Sequence, residues 1–360
     1  MTISPDYARL VAQRVRAYYQ EAEDRAMARM VAALGDGLDA PEWAARKAAE
    51  LPGVLAAIDR HLARLDEDAP SLIERAVAEA YQAGQGAAVA DLRAAGLDPI
   101  GGHRASRAVD VLAEDTVRAM SGARVRVVRE VADVYQRVTA DTAAQVLTGT
   151  QSRRDAARDA VRRYALDGVR PFRDKAGRRW EMGAYAEMAT RTTAGQAAVT
   201  GHTDRLQALG HDLVIVSDSP EECGLCRPWE GQVLSISGQS RGRASDGTRI
   251  AGSVARARGA GLQHPNCTHT VGIYLPGVTR PQTTTRDPEA YRVRQQQRAK
   301  ERSIRRSKRA VLIDEATHGR DSAAARASRK RLRAQQAEFR QWRNANDRKD
   351  LNYRTGLTSR

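Results

Sequence analysis

Apolar residues in the first 147 positions recur at three- and four-residue steps, a spacing that places them on one face of a helix. In the first segment this face is formed by Tyr7, Val11, Val15 and Tyr18. Glycines at 35 and 37, and a Pro-Gly pair at 52–53, predict where helices end or break. The pattern predicts helices over 5–34, Trp43–Leu65 with a break near Pro52, Leu72–Ala95, and Ala105–Leu147.

The longest of these segments, Ala105–Leu147, carries an apolar stripe at near-heptad spacing. This spacing favours a helix over a strand, although valine has a modest helix propensity. Narrow stripes are buried most economically between helices, so residues 1–148 are predicted to form a helical bundle or coiled coil, with homo-oligomerisation as one route to burial. The stripe consists of Val117, Met120, Val127, Val131, Val134 and Val138.

The pattern changes after residue 149. Ser152 and Asp155 form a capping arrangement that predicts a short helix to Leu166, and the turn residues Asp174–Gly177 separate two short predicted strands. The following elements are predicted to be a helix over Met182–Leu209, a strand over Leu213–Ser217, a mobile Gly- and Ser-rich loop over Gly238–Gly261, and basic helices over Tyr291–Ala316 and Ser322–Asn344.

These elements predict an α+β fold that is predominantly α-helical. Three parts are expected: a helical N-terminal region (1–148), a small α+β module (149–280) and a basic helical C-terminal tail (281–360). Aromatic residues make up only 4% of the chain, which argues against an all-β fold. No apolar run is long enough for a bilayer, and Asp6 and Arg9 interrupt the start of the chain, so we expect a soluble protein made inside the cell, without membrane contact.

Positive charge is concentrated at the C-terminal end. The whole chain has a net charge of +15, and residues 286–360 contribute +13 from 22 basic and 9 acidic residues. Such a block attracts polyanions and releases counterions from phosphates, although a solvated helix surface that faces an acidic partner would have the same composition. The predicted nucleic-acid-binding residues are Arg298, Lys300, Arg302, Arg305, Arg306, Lys308, Arg309, Arg329, Lys330, Arg331 and Arg333.

One constellation has chemical specificity, because all three cysteines lie in a single region together with two histidines. Cys223 and Cys226 form a Cys-x-x-Cys turn, and His264, Cys267 and His269 form a second cluster. Thiolates and imidazoles at this spacing suit a tetrahedral structural zinc ion. We predict that the three cysteines bind zinc and that either His264 or His269 supplies the fourth ligand.

Other interpretations of the cysteines are weaker. A Cys223–Cys226 disulfide would suit an oxidising compartment, but the sequence shows no export signal to such a compartment. A thioredoxin-like redox pair would be followed by a helix, and the residues Arg227-Pro-Trp229 are not a clear start of one. Phosphate-loop, nucleophile-elbow and His-Glu-x-x-His motifs are absent from the sequence, so we expect no enzyme activity. The nearby glutamates are predicted to be surface carboxylates: Glu221, Glu222 and Glu230.

Several blocks of the sequence, in order, resemble the tailed-phage minor capsid proteins related to the Mu F-like head morphogenesis proteins. The resemblance covers roughly residues 150–345. This chain has Thr268 where family members often have a basic residue, and His269 where many have cysteine. The blocks are Phe172–Trp180, Ala184–Thr193, Ser217–Cys226, Trp229–Gly231, His264–His269, Tyr274–Gly277 and Tyr291–Arg309.

The resemblance implies a structural virion component of low copy number in the capsid interior, associated with the portal vertex and with capsid or scaffold proteins. The basic tail suits contact with packaged double-stranded DNA. The alternative is a zinc-containing nucleic-acid-binding enzyme such as a nuclease. We disfavour it because the sequence lacks the paired His and Asn expected beside a nuclease metal.

Overall fold

The computed structural model describes residues 5–37, 40, 42–100, 107–147, 152, 155–156, 159, 162, 172–173, 177, 179–218, 224–280 and 287–356. These residues are mostly helical and include a four-stranded sheet and a two-stranded hairpin, which confirms the predicted α+β, predominantly helical class. None of the described helices is both long enough and apolar enough to cross a bilayer.

Most of the predicted elements are present, with ends shifted by a few residues. The helices are α1 (Pro5–Gly35), α2 (Trp43–Ala94), α3 (Arg107–Leu147), α4 (Met182–Ala208), α5 (Val254–Gly259), α6 (Pro288–His318), α7 (Ala323–Ala345) and α8 (Asn352–Thr355). The strands are β1 (Phe172–Arg173), β2 (Arg179–Trp180), β3 (Leu213–Val216), β4 (Val233–Ser235), β5 (Ile250–Ser253) and β6 (Val271–Ile273).

The predicted interruption of the second helix is wrong, because α2 runs unbroken through Pro52 and Gly53 to Ala94. Apolar side chains are buried at helical spacing on both sides of the proline, including Leu51, Ile58 and Leu62. Burial of this continuous face outweighs the hydrogen bond and the propensity that a Pro-Gly pair costs a helix interior.

The chain forms two compact units. The first comprises Met1–Arg16, Ala69–Ala119 and Ala186–Arg294, and the second comprises Ala17–Asp68, Met120–Tyr185 and Gln295–Arg360. Helices α1, α2, α3, α4 and α6 therefore contribute residues to both units. The three-part division expected at residues 148 and 280 stays a prediction.

In the first unit, α2 and α4 approach so closely that glycine is required in each. A Cβ at Gly84 would lie 1.9 Å from the carbonyl oxygen of Ala198, and one at Gly201 would lie 2.1 Å from that of Tyr81. The Tyr81 hydroxyl also donates to Asp204 at 3.0 Å. The two helix backbones are thus in direct van der Waals contact.

The sheet of the first unit has the strand order β5-β4-β3-β6. Strand β3, which the sequence predicts, is central and pairs antiparallel with both β4 and β6. One face covers a small core of Val233, Ile250 and Tyr274. The prediction of a mobile loop over Gly238–Gly261 is wrong, because this segment contains β5 and α5.

In the second unit, the valine stripe of α3 is buried at Met120, Val127, Val131, Val134 and Val138. The adjoining short segments follow the sequence predictions where they are described. Ser152 Oγ accepts from the Asp155 amide at 3.1 Å, and β1 pairs antiparallel with β2. Most of the short helix predicted to reach Leu166 lies outside the described residues.

Candidate metal centre

The sheet of the first unit brings the two halves of the Cys/His motif together. Cys226 lies in the connection from β3 to β4, and Cys267 precedes β6, the other neighbour of β3. At the end of β3, the Ser217 amide donates to the carbonyl oxygen of Thr270 at 2.9 Å. Residues 41 positions apart in sequence therefore meet at one edge of the module.

The thiol groups of Cys226 and Cys267 and one imidazole form a tight cluster. The two Sγ atoms are 3.4 Å apart, and the Sγ of Cys267 lies 3.3 Å from Nδ1 of His269. The ligand atoms of these three residues all lie within 4.8 Å of one another. The backbone N–H of His269 also donates to the Cys267 sulfur at 3.3 Å, which favours a thiolate there.

Burial and charge adapt the cluster to a cation. Cys226 is fully buried, and His269 is 6% exposed. The contacts with Cys226 and with His269 together outweigh the opposing effect of burial and lower the pKa of the Cys267 thiol to about 4. Burial disfavours the charged imidazole of His269, but Cys267 and Glu230 together raise its pKa. Two sulfur ligands and one imidazole in a buried site match the ligand chemistry of structural zinc.

The two histidines predicted as alternative ligands have different surroundings in the structure. His269 joins the two described cysteines, whereas His264 is partly exposed and its Nδ1 lies 2.8 Å from the carbonyl oxygen of Pro265. Among the residues that the structure describes, the geometry therefore favours His269 as the imidazole ligand. Cys223 lies outside these residues, so its predicted role stays a prediction.

Glu230 was missed by the sequence prediction, which made it a surface carboxylate. Its side chain is only 3% exposed, and Oε1 lies 2.5 Å from Nε2 of His269. The residue comes directly after the 3-10 turn Arg227–Trp229, which begins after Cys226. The available signal was its place in the block Trp229–Gly231, one of those that carry the family resemblance.

Helix α4 holds the loop that presents Cys267. Arg191 donates to the side-chain oxygen of Asn266, and Thr192 Oγ1 accepts from the Asn266 amide at 3.1 Å. Asn266 has a φ of +71°, a left-handed conformation that asparagine tolerates better than most residues. One turn further along α4, Gln196 donates to the carbonyl oxygen of Gln263 at 3.2 Å. The loop is therefore fixed on both sides of His264.

Comparison with known proteins identifies a family for this chain. The family described as phage minor capsid protein 2 matches residues 3–344, nearly the whole chain. The chain belongs to this family. Searches of the curated proteins and of the solved structures returned no match. The resemblance of the sequence to phage minor capsid proteins is thereby confirmed.

The basic residues that the sequence predicts as DNA ligands have unequal environments in this minor capsid protein. Arg305 and Arg309 are 4% and 8% exposed, and both contact the carboxylate of Glu181. These two buried side chains are not accessible to phosphates. Arg298, Lys300, Lys308 and Arg329 are half-buried, while the exposed members are Arg302, Arg306, Lys330, Arg331 and Arg333.

Helix α7 of the minor capsid protein presents an exposed basic face. Arg326, Lys330, Arg333 and Arg340 are all exposed and follow one another at intervals of four, three and seven residues. This spacing aligns them on one side of a helix, over about 21 Å at 1.5 Å per residue. We refer to these four residues as the α7 stripe. Two of them, Arg326 and Arg340, were not among the residues predicted from the sequence.

Proposed function

We propose that this structural head protein lies in the capsid interior beside the portal, contacts packaged double-stranded DNA through the α7 stripe, and is reinforced by a structural zinc ion. Membership of the phage minor capsid protein 2 family makes it a virion component of the phage head.

The α7 stripe is the observation that carries the DNA contact. Its four cations lie along one exposed helix face, where they can each approach a phosphate without desolvating the protein core. Contacts between these cations and the phosphate backbone carry no sequence information. We therefore expect binding to any double-stranded sequence, as suits a protein enclosed with a genome.

The test is DNA binding at several salt concentrations. The full-length protein is compared with a variant that carries Gln at the four stripe positions, using a double-stranded fragment of arbitrary sequence. Loss of four phosphate contacts is expected to weaken binding and to reduce the slope of log K against log salt by about 3 to 4.

A matched control removes the same charge elsewhere. Arg60, Arg93, Arg107 and Arg129 are also exposed, and their replacement by Gln leaves the net charge equal to that of the stripe variant. We expect the control to retain most of the wild-type slope. Equal losses in the two variants would contradict the stripe as the contact surface and leave only the overall charge. Cleavage of plasmid in the presence of Mg²⁺ or Zn²⁺ would instead favour the nuclease alternative.

The zinc proposal rests on the fit of Cys226, Cys267 and His269 to this ion, with Cys223 as the predicted fourth ligand. Bound zinc would cross-link the β3–β4 connection to the segment before β6. Elemental analysis of purified protein should give about one zinc per chain, and Cys226→Ser and Cys267→Ser should each lose it. Metal-free wild-type protein that folds with the same unfolding midpoint as freshly purified protein would contradict a structural role.

The proposed partners are the portal and the capsid or scaffold proteins, with self-association through the N-terminal helices as a further possibility to test. Chemical cross-linking inside assembled proheads, followed by mass spectrometry, identifies the neighbours directly. Cross-links to the portal are expected, whereas cross-links confined to the outer capsid surface would refute the interior position. Particles assembled without the protein should contain fewer DNA-filled heads.

A further inference from the structure

Glu230 and Cys267 contact different nitrogen atoms of the His269 ring. Oε1 of Glu230 lies 2.5 Å from Nε2, while the Cys267 sulfur lies 3.3 Å from Nδ1 of the same ring. The side chains of Glu230 and His269 are both 3% exposed. The other carboxylate oxygen lies 3.4 Å from Nη1 of Arg227, so a cation accompanies the buried acid.

This arrangement selects one tautomer of the imidazole. An ionised carboxylate has only acceptor atoms, so Nε2 of His269 must carry the proton that the contact with Glu230 requires. The lone pair of the neutral ring is then on Nδ1, the nitrogen that faces the sulfur atoms. Glu230 does not belong to the group of ligand atoms that lie within 4.8 Å of one another. Its contact with the cluster is made through the ring.

We infer that Glu230 is the positioning residue of the metal centre: it fixes the rotation and tautomer of His269 so that Nδ1, and not the more commonly used Nε2, binds the ion. The inference rests on the proposed zinc site. A buried carboxylate behind a ligating imidazole also increases the basicity of the ring, and loss of such a partner typically weakens metal binding 10- to 100-fold.

The backbone supports this role because it leaves Glu230 little freedom. Its amide donates to the carbonyl oxygen of Arg227 at 3.3 Å, which closes the 3-10 turn that begins directly after Cys226. The next amide, of Gly231, donates to the carbonyl oxygen of Val216 in β3 at 3.1 Å. One short segment thus carries both a sulfur ligand and the acid that orients the imidazole ligand.

The experiment measures zinc affinity by competition with a chromophoric chelator in full-length wild type, Glu230→Gln and Glu230→Ala. We expect 10- to 100-fold weaker binding in the alanine variant. A smaller loss is expected for glutamine, whose amide oxygen still accepts from Nε2–H. Glu114→Gln serves as the control, because Glu114 is an exposed acid of the same unit, and it should bind zinc as the wild type does.

A second measurement separates positioning from packing. In zinc-loaded wild type, ¹⁵N NMR of the histidine rings should show a protonated Nε2 and a metal-bound Nδ1 for His269. Cobalt substitution should give a visible spectrum that changes in the glutamate variants. A role in packing alone would lower the unfolding midpoint of metal-free protein and leave both the zinc affinity and the cobalt spectrum as in wild type.

The outcomes distinguish this inference from the zinc proposal. Wild type that retains no zinc overturns both. If the wild type binds one zinc and Glu230→Ala binds it with the same affinity, the role of Glu230 is overturned and the zinc site remains. Coordination of the ion through Nε2 in the wild type would have the same consequence. If the alanine variant does not fold, the glutamine variant and the wild-type NMR spectrum still decide.

Discussion

The stability of this protein should depend on pH through one buried acid of the second unit. Glu23, in α1, is 1% exposed. Burial raises its pKa to about 7, and the nearby carboxylates of Glu181 and Asp24 add to the effect, while Arg309 and the amide of Gly183 oppose it. Three carboxylates thus share one buried region with Arg309, and protonation of Glu23 removes the cost of burying its charge and relieves the repulsion among them.

The magnitude follows from the difference between the folded and unfolded states. The pKa of Glu23 moves from its ordinary 4.5 to about 7. At about 1.4 kcal/mol per unit, the ionised form costs on the order of 3 kcal/mol. Because the folded state binds this proton more tightly than the unfolded state, the stabilisation is complete below about pH 4.5. It is lost as the pH rises through 7.

Replacement of Glu23 by Gln removes this titration while it keeps a group that can accept from the Gly183 amide, which lies 3.4 Å away. We expect the variant and the wild type to be similarly stable near pH 4.5. The advantage of the variant should grow to about 3 kcal/mol by pH 7.5. Urea unfolding followed by circular dichroism at half-unit pH intervals measures this difference.

The control for this series is Glu67→Gln, since Glu67 belongs to the same unit but is exposed in α2. Its stability should follow that of the wild type across the whole pH range. Parallel curves for wild type and Glu23→Gln would refute the reasoning, because they would mean that the buried carboxyl keeps an ordinary pKa. If the wild type instead gained stability relative to the variant between pH 4.5 and 7, the pKa of Glu23 would be lowered by folding and not raised.

Three further substitutions test the packing of the first unit. Gly84→Ala should destabilise by about 1 to 3 kcal/mol, because its Cβ would lie 1.9 Å from the carbonyl oxygen of Ala198, whereas Gly86→Ala has open space and should stabilise by up to about 1 kcal/mol. Similar urea midpoints for these two variants would contradict the close contact of α2 with α4. Thr192→Val removes the acceptor for the Asn266 amide and should cost about 1 kcal/mol. Hydrogen exchange at that amide should accelerate, and unchanged protection would show that another group holds the loop.

Much of the helical fold could be predicted because the determining pattern is local. Each buried stripe repeats every three or four residues, so the bounds of α1, α3, α6 and α7 follow from a short window of sequence. The local rule failed at Pro52. There, the burial of apolar residues on both sides of the proline maintains a helix that a Pro-Gly pair would otherwise end.

The ordered segment between β4 and β5 could not be predicted because its contacts are distant in sequence. Asp212 accepts from the hydroxyls of Ser235 and Ser240, at 2.7 and 2.5 Å, and Asp246 accepts from the Tyr274 hydroxyl at 2.6 Å. A window rich in glycine and serine is typical of mobile loops. The carboxylate of Asp212, outside that window, and that of Asp246, inside it, accept these hydrogen bonds and fix the segment.

The candidate metal centre could be predicted only in part, because some of its contacts are local in sequence and others are not. Spacing alone pointed to Cys226 and Cys267, which the structure brings together, and reduced the imidazole ligand to two candidates. The contact between His269 and Glu230 joins residues that are 39 positions apart. Local spacing does not contain that contact, so the acid was assigned to the surface.

The contacts of α4 explain physically why separated blocks of the sequence belong together. The block Ala184–Thr193 contains no candidate ligand, yet its residues Arg191 and Thr192 both bind Asn266, the residue before Cys267. An arginine at this buried position, 8% exposed, would be costly without an acceptor such as the Asn266 oxygen. Helix, asparagine and cysteine therefore constrain one another: a change in the helix block would move the loop that presents the sulfur. We accordingly expect the effects of Arg191 and Asn266 substitutions on zinc affinity to be non-additive in a double-mutant cycle, and additive effects would show that the helix acts on the centre by another route.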